Sequence, residues 1–475
     1  MNINVKNIMN NKQHPVWVLV QQIISRVFVG LKFLILARML GPQAIGLISV
    51  ALISLAIIES LTQLGIMESI VQREKNLSLK ERDAVWTMQF LRGIIISLTL
   101  FIISPMLVQV FNAPESLALL YVIAMVPLFT NSISIGMFQS IRNRNYRDVS
   151  IIELSTIILD LIISIILIGL FNSPLGVVIS QLIAQVYRSI FSHVKFKTIP
   201  KFHIDYRTIK EVNRYGRWIW GNSISSLINN QLDKILASKF LGTTLLGYYQ
   251  MSQKFAQMGV TDISFALGQY FFPTLSKVNR TKKEYLPYVF FNMLGIISRF
   301  SIFTATYLFI NSSMVILIIL GGKWIPMVNF LKLMLISACL AAILSVSVCF
   351  IRAIGNPKFV TFTSYIQLGI SVPLSILGIY YLGVIGLIAA NIFTLLLSNI
   401  ILLTRSLKEF QIDKSRLIFN VIYFSGVICS MYVISLLETN ATFICSTLIY
   451  TVLVIREFLK LKVTINIAKK VNNIA

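Results

Sequence analysis

The chain is 475 residues long, 56% hydrophobic and only 13% charged. Soluble domains carry about 25% charged residues, so a soluble globular protein is excluded. The net charge of +24 would suggest a nucleic-acid partner in a soluble protein, but here the basic residues lie in short stretches between long apolar segments. They therefore indicate membrane topology, and we expect no nucleic-acid partner.

Apolar segments long enough to cross a hydrocarbon core of about 30 Å follow one another along almost the whole chain. Sustained hydrophobicity in windows of about 19 residues predicts fourteen transmembrane helices. The predicted spans are 15–39, 43–70, 82–111, 115–141, 148–171, 174–197, 211–238, 244–275, 286–320, 325–354, 358–381, 383–405, 415–437 and 441–461. The predicted fold is an all-α integral membrane protein.

The basic residues of the loops are distributed unequally between the two sides of the membrane. Loops after odd-numbered helices hold only Arg38, Lys239 and Lys323, whereas loops after even-numbered helices and both tails hold many. Because lysine and arginine accumulate in cytoplasmic loops, we predict a multi-pass protein of the bacterial cytoplasmic membrane with both termini in the cytoplasm.

The sequence also repeats itself. Leu40-Gly41 and Gly46 recur as Leu241-Gly242 and Gly247, each 201 residues later. Ile141-Arg142 recurs 210 residues later as Ile351-Arg352, as Gly176 does at Gly386. Two pseudo-symmetric lobes of six helices in one orientation are expected. The predicted domains are an N-lobe (1–200), a C-lobe (201–410), and helices 13 and 14 with a cytoplasmic tail (411–475).

Polar side chains inside the spans mark candidate sites, because a charge at the bilayer centre costs at least about 2.5 kcal/mol. Helix 1 carries a polar stripe of Gln21, Ser25 and Lys32 with Arg26 alongside. Helix 7 carries a stripe of amides and a carboxylate at the same spacing, namely Asn222, Ser226, Asn229 and Asp233, with Ser225 and Asn230 adjoining. The predicted substrate-binding residues are Arg26, Lys32, Asn222, Asn229, Asp233, Lys254 and Arg299. The predicted ion-coupling residues are Glu59, Asp160 and Asp262.

Structural roles remain open for the same residues. Asp233 could be neutralised by the neighbouring Lys234, and asparagine and serine often only join helices. Glu59 and Asp160 are equally suited to a fixed salt bridge with a basic residue. For Lys254 and Arg299 the structural and functional interpretations carry equal weight.

Enzyme machinery is not evident in the sequence. The chain has no GxxxxGK[ST], GxSxG or HExxH motif, and no GxGxxG that opens a helix after a strand. The four cysteines show neither CxxC spacing nor clustering with histidine. We therefore expect no catalytic activity, metal or cofactor.

Several motifs resemble those of the Wzx-like polysaccharide transporters, a family of the multidrug/oligosaccharidyl-lipid/polysaccharide exporter superfamily. The run from Leu36 to Gly46 resembles the family's "ARLLGPxxFG" motif, and 229–236 resembles "NxxLDrlll". Further similar runs are Leu64-Gly65 with 70–73, 241–249, and Phe272-Pro273 with 275–277. The sequence departs from the family at Ile45, usually aromatic, and at Gln63, usually acidic.

The resemblance implies a flippase or exporter that works by alternating access and is driven by an ion gradient of H⁺ or Na⁺. Its implied cargo is an undecaprenyl-pyrophosphate-linked oligosaccharide for O-antigen, capsule or exopolysaccharide. Membrane lipid, a glycan polymerase and assembly proteins are its expected partners. Arg26 and Lys32 would bind the pyrophosphate.

Two alternatives remain. A multidrug antiporter of the same superfamily would normally have twelve spans and an acidic interior. A membrane glycan polymerase or ligase would typically need a long outer loop with catalytic residues, whereas every predicted outer loop here has only a few residues.

Overall fold

The computed structural model of the protein describes residues 16–72, 77–281, 283–408, 446–453 and 456. Every regular element within these ranges is helical, which confirms the predicted all-α class. The predicted helix 13 (415–437) lies outside the described residues. Of the predicted helix 14 (441–461), only 446–453 and 456 fall within them.

The chain divides into two compact units, Met1–Gly247 and Tyr248–Ala475. This boundary follows helix 7, whereas the lobes predicted from the sequence divide before it, and the lobe division stays a prediction. The helices up to this boundary are α1 (Val16–Leu40), α2 (Pro42–Leu61), α3 (Ile66–Gln72), α4 (Leu79–Val110), α5 (Leu117–Ile123), α6 (Val126–Thr130), α7 (Gly136–Arg142), α8 (Tyr146–Phe171), α9 (Leu175–Phe196) and α10 (Tyr206–Ala256).

The second unit contains the end of α10, a π-helical turn and longer helices. Gly242 interrupts α10 with φ 80° and ψ 172°, so 206–241 and 243–256 are separate helices. The elements that follow are the π turn (Gln257–Thr261), α11 (Asp262–Thr281), α12 (Leu286–Ile310), α13 (Ser312–Ile319), α14 (Val328–Ala353) and α15 (Pro357–Lys408). Within the described residues, seven helices are long and apolar enough to cross a membrane.

Three predicted spans are interrupted, and one of them, 286–320, is divided between α12 and α13 at Asn311. The predicted 43–70 helix ends at Leu61, and helix resumes only at Ile66, after Gly65 with φ 61°. The predicted 115–141 helix is divided into α5, α6 and α7. Pro127, the second residue of α6, has no backbone N–H to donate to the end of α5, so the helix is broken between α5 and α6.

The sequence repeat is present in the backbone geometry. Gly41 has φ 85° and ψ 177°, close to the values at Gly242. α8 covers 146–171, and the first part of α15 covers 357–382, each end displaced by 211 residues. The helices before them end alike, since Asn145 N donates to Ser140 O at 2.8 Å and Asn356 N to Ile351 O at 3.1 Å. The repeat found in the sequence is therefore present in the backbone at these positions, and the division into two six-helix lobes stays a prediction.

Candidate functional site

α2 and α10 touch at one end through two glycines that the repeat relates. A Cβ on Gly46 would lie 1.8 Å from the carbonyl oxygen of Thr243, and one on Gly247 would lie 1.9 Å from that of Pro42. Both distances are far below van der Waals contact. Only glycine allows the two backbones to approach this closely.

The two helices meet again where α2 breaks. The indole Nε1 of Trp220 donates to the carbonyl oxygen of Leu61 at 2.8 Å. A Cβ on Gly216 would lie 2.1 Å from the carbonyl oxygen of Leu64. The first part of α10 is thus fixed against the carbonyls that the break exposes.

Between these two contacts lies a pocket of about 200 Å³. Most of its lining side chains are uncharged and polar. They are Ser60 with Ala56 on α2, and Ser223, Ser226, Leu227, Asn230 and Gln231 on α10. We name this set the α2–α10 pocket. Of the predicted helix 7 stripe it includes Ser226 and the adjoining Asn230, whereas Ser60, Ser223 and Gln231 were missed.

The polar groups on α10 are arranged by local hydrogen bonds. Asn230 Nδ2 donates to Ser226 Oγ at 3.0 Å. Lys234 Nζ donates to the carbonyl oxygen of Asn230 at 3.0 Å and to Gln231 Oε1 at 3.3 Å. These bonds orient both amides of the pocket.

Lys32 on α1 and Asp160 on α8, predicted separately for cargo and for ion coupling, form an ion pair. Nζ of Lys32 lies 2.6 Å from Oδ1 of Asp160, and their side chains are only 15% and 22% exposed. The buried hydroxyl of Ser180 on α9 donates to the same carboxylate oxygen at 2.9 Å. The pair therefore connects α1 to α8, and α9 supports it.

Arg92 on α4 closes the break after α2. Its guanidinium donates to the carbonyl oxygens of Glu59 at 3.0 Å and Thr62 at 2.8 Å. It also donates to Gln63 Oε1 and Asn131 Oδ1, each at 3.0 Å. Arg92 thus satisfies carbonyls that a helix end leaves without partners. The Glu59 carboxylate interacts electrostatically with the same guanidinium.

A second ion pair joins α8 to α9, between Arg188 and Glu153. Next to it, Ser150 Oγ donates to Gln21 Oε1 at 3.0 Å. Glu153 was not among the residues predicted from the sequence, because it lies only two turns inside its helix. The signal that could have identified Glu153 is Arg188 on the next helix, because a basic side chain inside the membrane needs an acidic partner.

The remaining predicted residues of the first unit differ in exposure and in the direction of their side chains. Arg26 lies on the exposed side of α1, whereas Gln21 and Lys32 face α8. Asn229 is exposed, and Asp233 is half-buried with Oδ1 accepting the backbone N–H of Lys234 at 2.9 Å. The side chain of Asn222 lies outside the described part of the structure.

The candidates of the second unit lie on its first helices. Lys254 is half-buried near the end of α10, and Asp262 begins α11 directly after the π turn. Such turns often occur at functional sites. Arg299 on α12 extends its guanidinium over Gly295, where an added Cβ would lie 3.1 Å from Nη1.

The structure resembles those of known transporters. The inward closed structure of the lipid II flippase MurJ superposes with a TM-score of 0.75 at 15% identity, covering 94% of this chain and all of that one. An inward-facing multidrug resistance MATE family transporter of the MOP superfamily superposes with a TM-score of 0.60 at 15% identity, covering 82% and 96%. At these identities the likeness establishes the fold.

The sequence comparisons identify the family. The lipopolysaccharide biosynthesis protein WzxC of Escherichia coli (strain K12) is 21% identical over 342 residues, which are 70% of this chain. The matched region spans 66% of that relative, slightly less than two thirds. The model of the family described as "Polysaccharide biosynthesis protein" matches residues 35–329, more than half of the chain. The chain therefore belongs to the polysaccharide biosynthesis protein family.

Proposed function

We propose that this protein carries an undecaprenyl-pyrophosphate-linked oligosaccharide across the bacterial cytoplasmic membrane for the synthesis of a surface polysaccharide. The observation that carries the proposal is the match of residues 35–329 to a polysaccharide biosynthesis family. The shared fold with a lipid II flippase supports the proposal, because lipid II, the cargo in that protein's name, is also a lipid.

Arg26 is the group we assign to the pyrophosphate. A guanidinium stays protonated and can donate to two phosphate oxygens at once. Its side chain is on the exposed side of α1. The repeat offset of 201 pairs Arg26 with Leu227, which lines the α2–α10 pocket. By this correspondence, Arg26 lies on the side of α1 that matches the pocket-lining side of α10.

The ion pair of Lys32 and Asp160 is the proposed coupling element. A proton on Asp160 would remove the negative charge and leave Lys32 charged in a largely buried place, which is costly. That cost favours a movement of α1 relative to α8. Na⁺ would act similarly by competing with Lys32 for the carboxylate. Glu59 and Asp262 remain second candidates for the same role.

The other predicted cargo residues complete the proposal. Asn229 and Asp233 would bind sugar hydroxyls, as would Asn222. Lys254 and Arg299, which lie in the second unit, stay predicted substrate-binding residues.

The test is a deletion strain that is complemented with the protein and its variants. Deletion should leave lipid-linked oligosaccharide on the inner leaflet and remove the surface glycan. Arg26→Ala should fail to restore the glycan, and Arg26→Lys should restore part of it, at matched membrane levels. A normal glycan without accumulated intermediate in the deletion strain would refute the proposal.

A multidrug antiporter is the second candidate, because the MATE transporter shares the fold. In that case deletion would increase sensitivity to cationic drugs and leave the surface glycan unchanged. The family match favours the polysaccharide cargo.

A further inference from the structure

The α2–α10 pocket lies between two close backbone contacts that hold its helices together. The Gly46–Thr243 contact fixes one end, and the Gly216–Leu64 contact fixes the other. Both contacts involve backbone atoms, so side-chain movement does not relax them. The space between the helices is therefore a built feature of the first unit.

The chemistry of the pocket does not suit an anion. None of its lining side chains is charged. The nearest cation on α10, Lys234, donates to Asn230 and Gln231. Lys32 is paired with Asp160, and Arg92 donates to four oxygens at the helix break. A phosphate here would have no charged side chain in the lining with which to form a charge-assisted hydrogen bond.

A sugar ring suits the same surface. Serine hydroxyls and amides offer donors and acceptors close together, as vicinal sugar hydroxyls require. Ala56 and Leu227 provide an apolar wall for the C–H face of the ring. The volume of about 200 Å³ is below the roughly 300–1,000 Å³ of sites for drug-sized ligands. It fits one ring rather than a whole oligosaccharide.

We propose that the α2–α10 pocket binds one uncharged sugar ring of the cargo during translocation, while the pyrophosphate is held elsewhere. This inference rests on the proposed function. Ser60, Ser223, Ser226, Asn230 and Gln231 are then specificity-determining residues.

The test uses cysteine labelling of the full-length protein in membranes. Ser226→Cys and, as a second reporter, Ser223→Cys are made in a background whose four native cysteines are alanine. Ser225→Cys is the matched control, because Ser225 lies on the same helix but does not line the pocket. The probes are undecaprenyl pyrophosphate and the lipid-linked oligosaccharide extracted from the deletion strain.

The glycolipid should slow maleimide labelling of Cys at 226 and 223 about tenfold at ten times its dissociation constant, since only the empty fraction reacts. Undecaprenyl pyrophosphate should not slow it, and the Ser225→Cys control should respond to neither. Equal protection by both probes would assign the pocket to the lipid or the pyrophosphate and overturn the proposal. No protection by either probe at 226 and at 223, while the wild-type protein restores the surface glycan, would overturn the sugar site alone. Failure of the wild-type protein to restore the glycan would overturn the proposed function itself.

Discussion

Gly46 offers a test of the close contact between α2 and α10. In Gly46→Ala the new Cβ would lie 1.8 Å from the Thr243 carbonyl oxygen, so the backbones must separate by more than about 1 Å to reach van der Waals contact. Overpacking of this kind costs about 1–3 kcal/mol. Alanine recovers about 0.4–1 kcal/mol of backbone entropy. We expect a net destabilisation of about 1–2 kcal/mol.

Thermal unfolding of the purified protein in detergent measures this effect, with Gly221→Ala as the control. Gly221 lies in the middle of α10, and no atom approaches an added Cβ within 4 Å. Gly221→Ala should therefore leave the melting temperature unchanged or raise it, whereas Gly46→Ala should lower it. Equal melting temperatures for the two variants would show that the helices do not touch at Gly46.

Three further predictions concern charged groups. Asp160→Asn should lower the free energy of unfolding by about 3–5 kcal/mol, because breaking a buried pair leaves the charge of Lys32 uncompensated. In a melting assay, the double variant Asp160→Asn with Lys32→Met should recover much of that loss. No recovery in the double variant would contradict the pairing. Arg92→Met should destabilise the protein by about 1.5–3 kcal/mol or more, the value of a hydrogen bond to a charged group. The variant should also show faster proteolysis or hydrogen exchange at residues 62–65. Unchanged exchange at these residues would contradict the capping role of Arg92. The hydrogen bond from Thr208 lowers the pKa of Asp205. The stabilisation that Asp205 contributes should therefore be complete above about pH 4 and be lost at lower pH. A melting difference between wild type and Asp205→Ala that persists unchanged well below that pH would contradict this.

The fold could largely be predicted because hydrophobicity, glycine and proline act locally. Leu40-Gly41 and Leu241-Gly242 were found as a repeat in the sequence, and both glycines adopt the positive φ that such a break requires. The break at Thr62 could not be predicted in the same way. The polar residues around it, among them Glu59, Thr62 and Gln63, are too few to divide the apolar span, and the group that stabilises the break, Arg92, lies on another helix.

The candidate site was predicted only as a set of separate residues. Helical spacing placed Lys32 and Asp160 inside the membrane, but it carries no information on partners 128 positions apart. The α2–α10 pocket depends on where two helices meet and separate. Ser60 and Gln231 have no sequence signal that distinguishes them from ordinary helix-joining side chains.

The repeat bears on how this protein could have arisen. Lys32 and Asp233 occupy equivalent positions, 201 residues apart, on helices that end at matching glycines. A dimer of two identical half-length chains must carry the same residue at both places, so a lysine would always accompany a lysine. Gene fusion removes that restriction, because each copy can then mutate alone. The opposite charges at 32 and 233 are a difference that a dimer of identical chains could not carry.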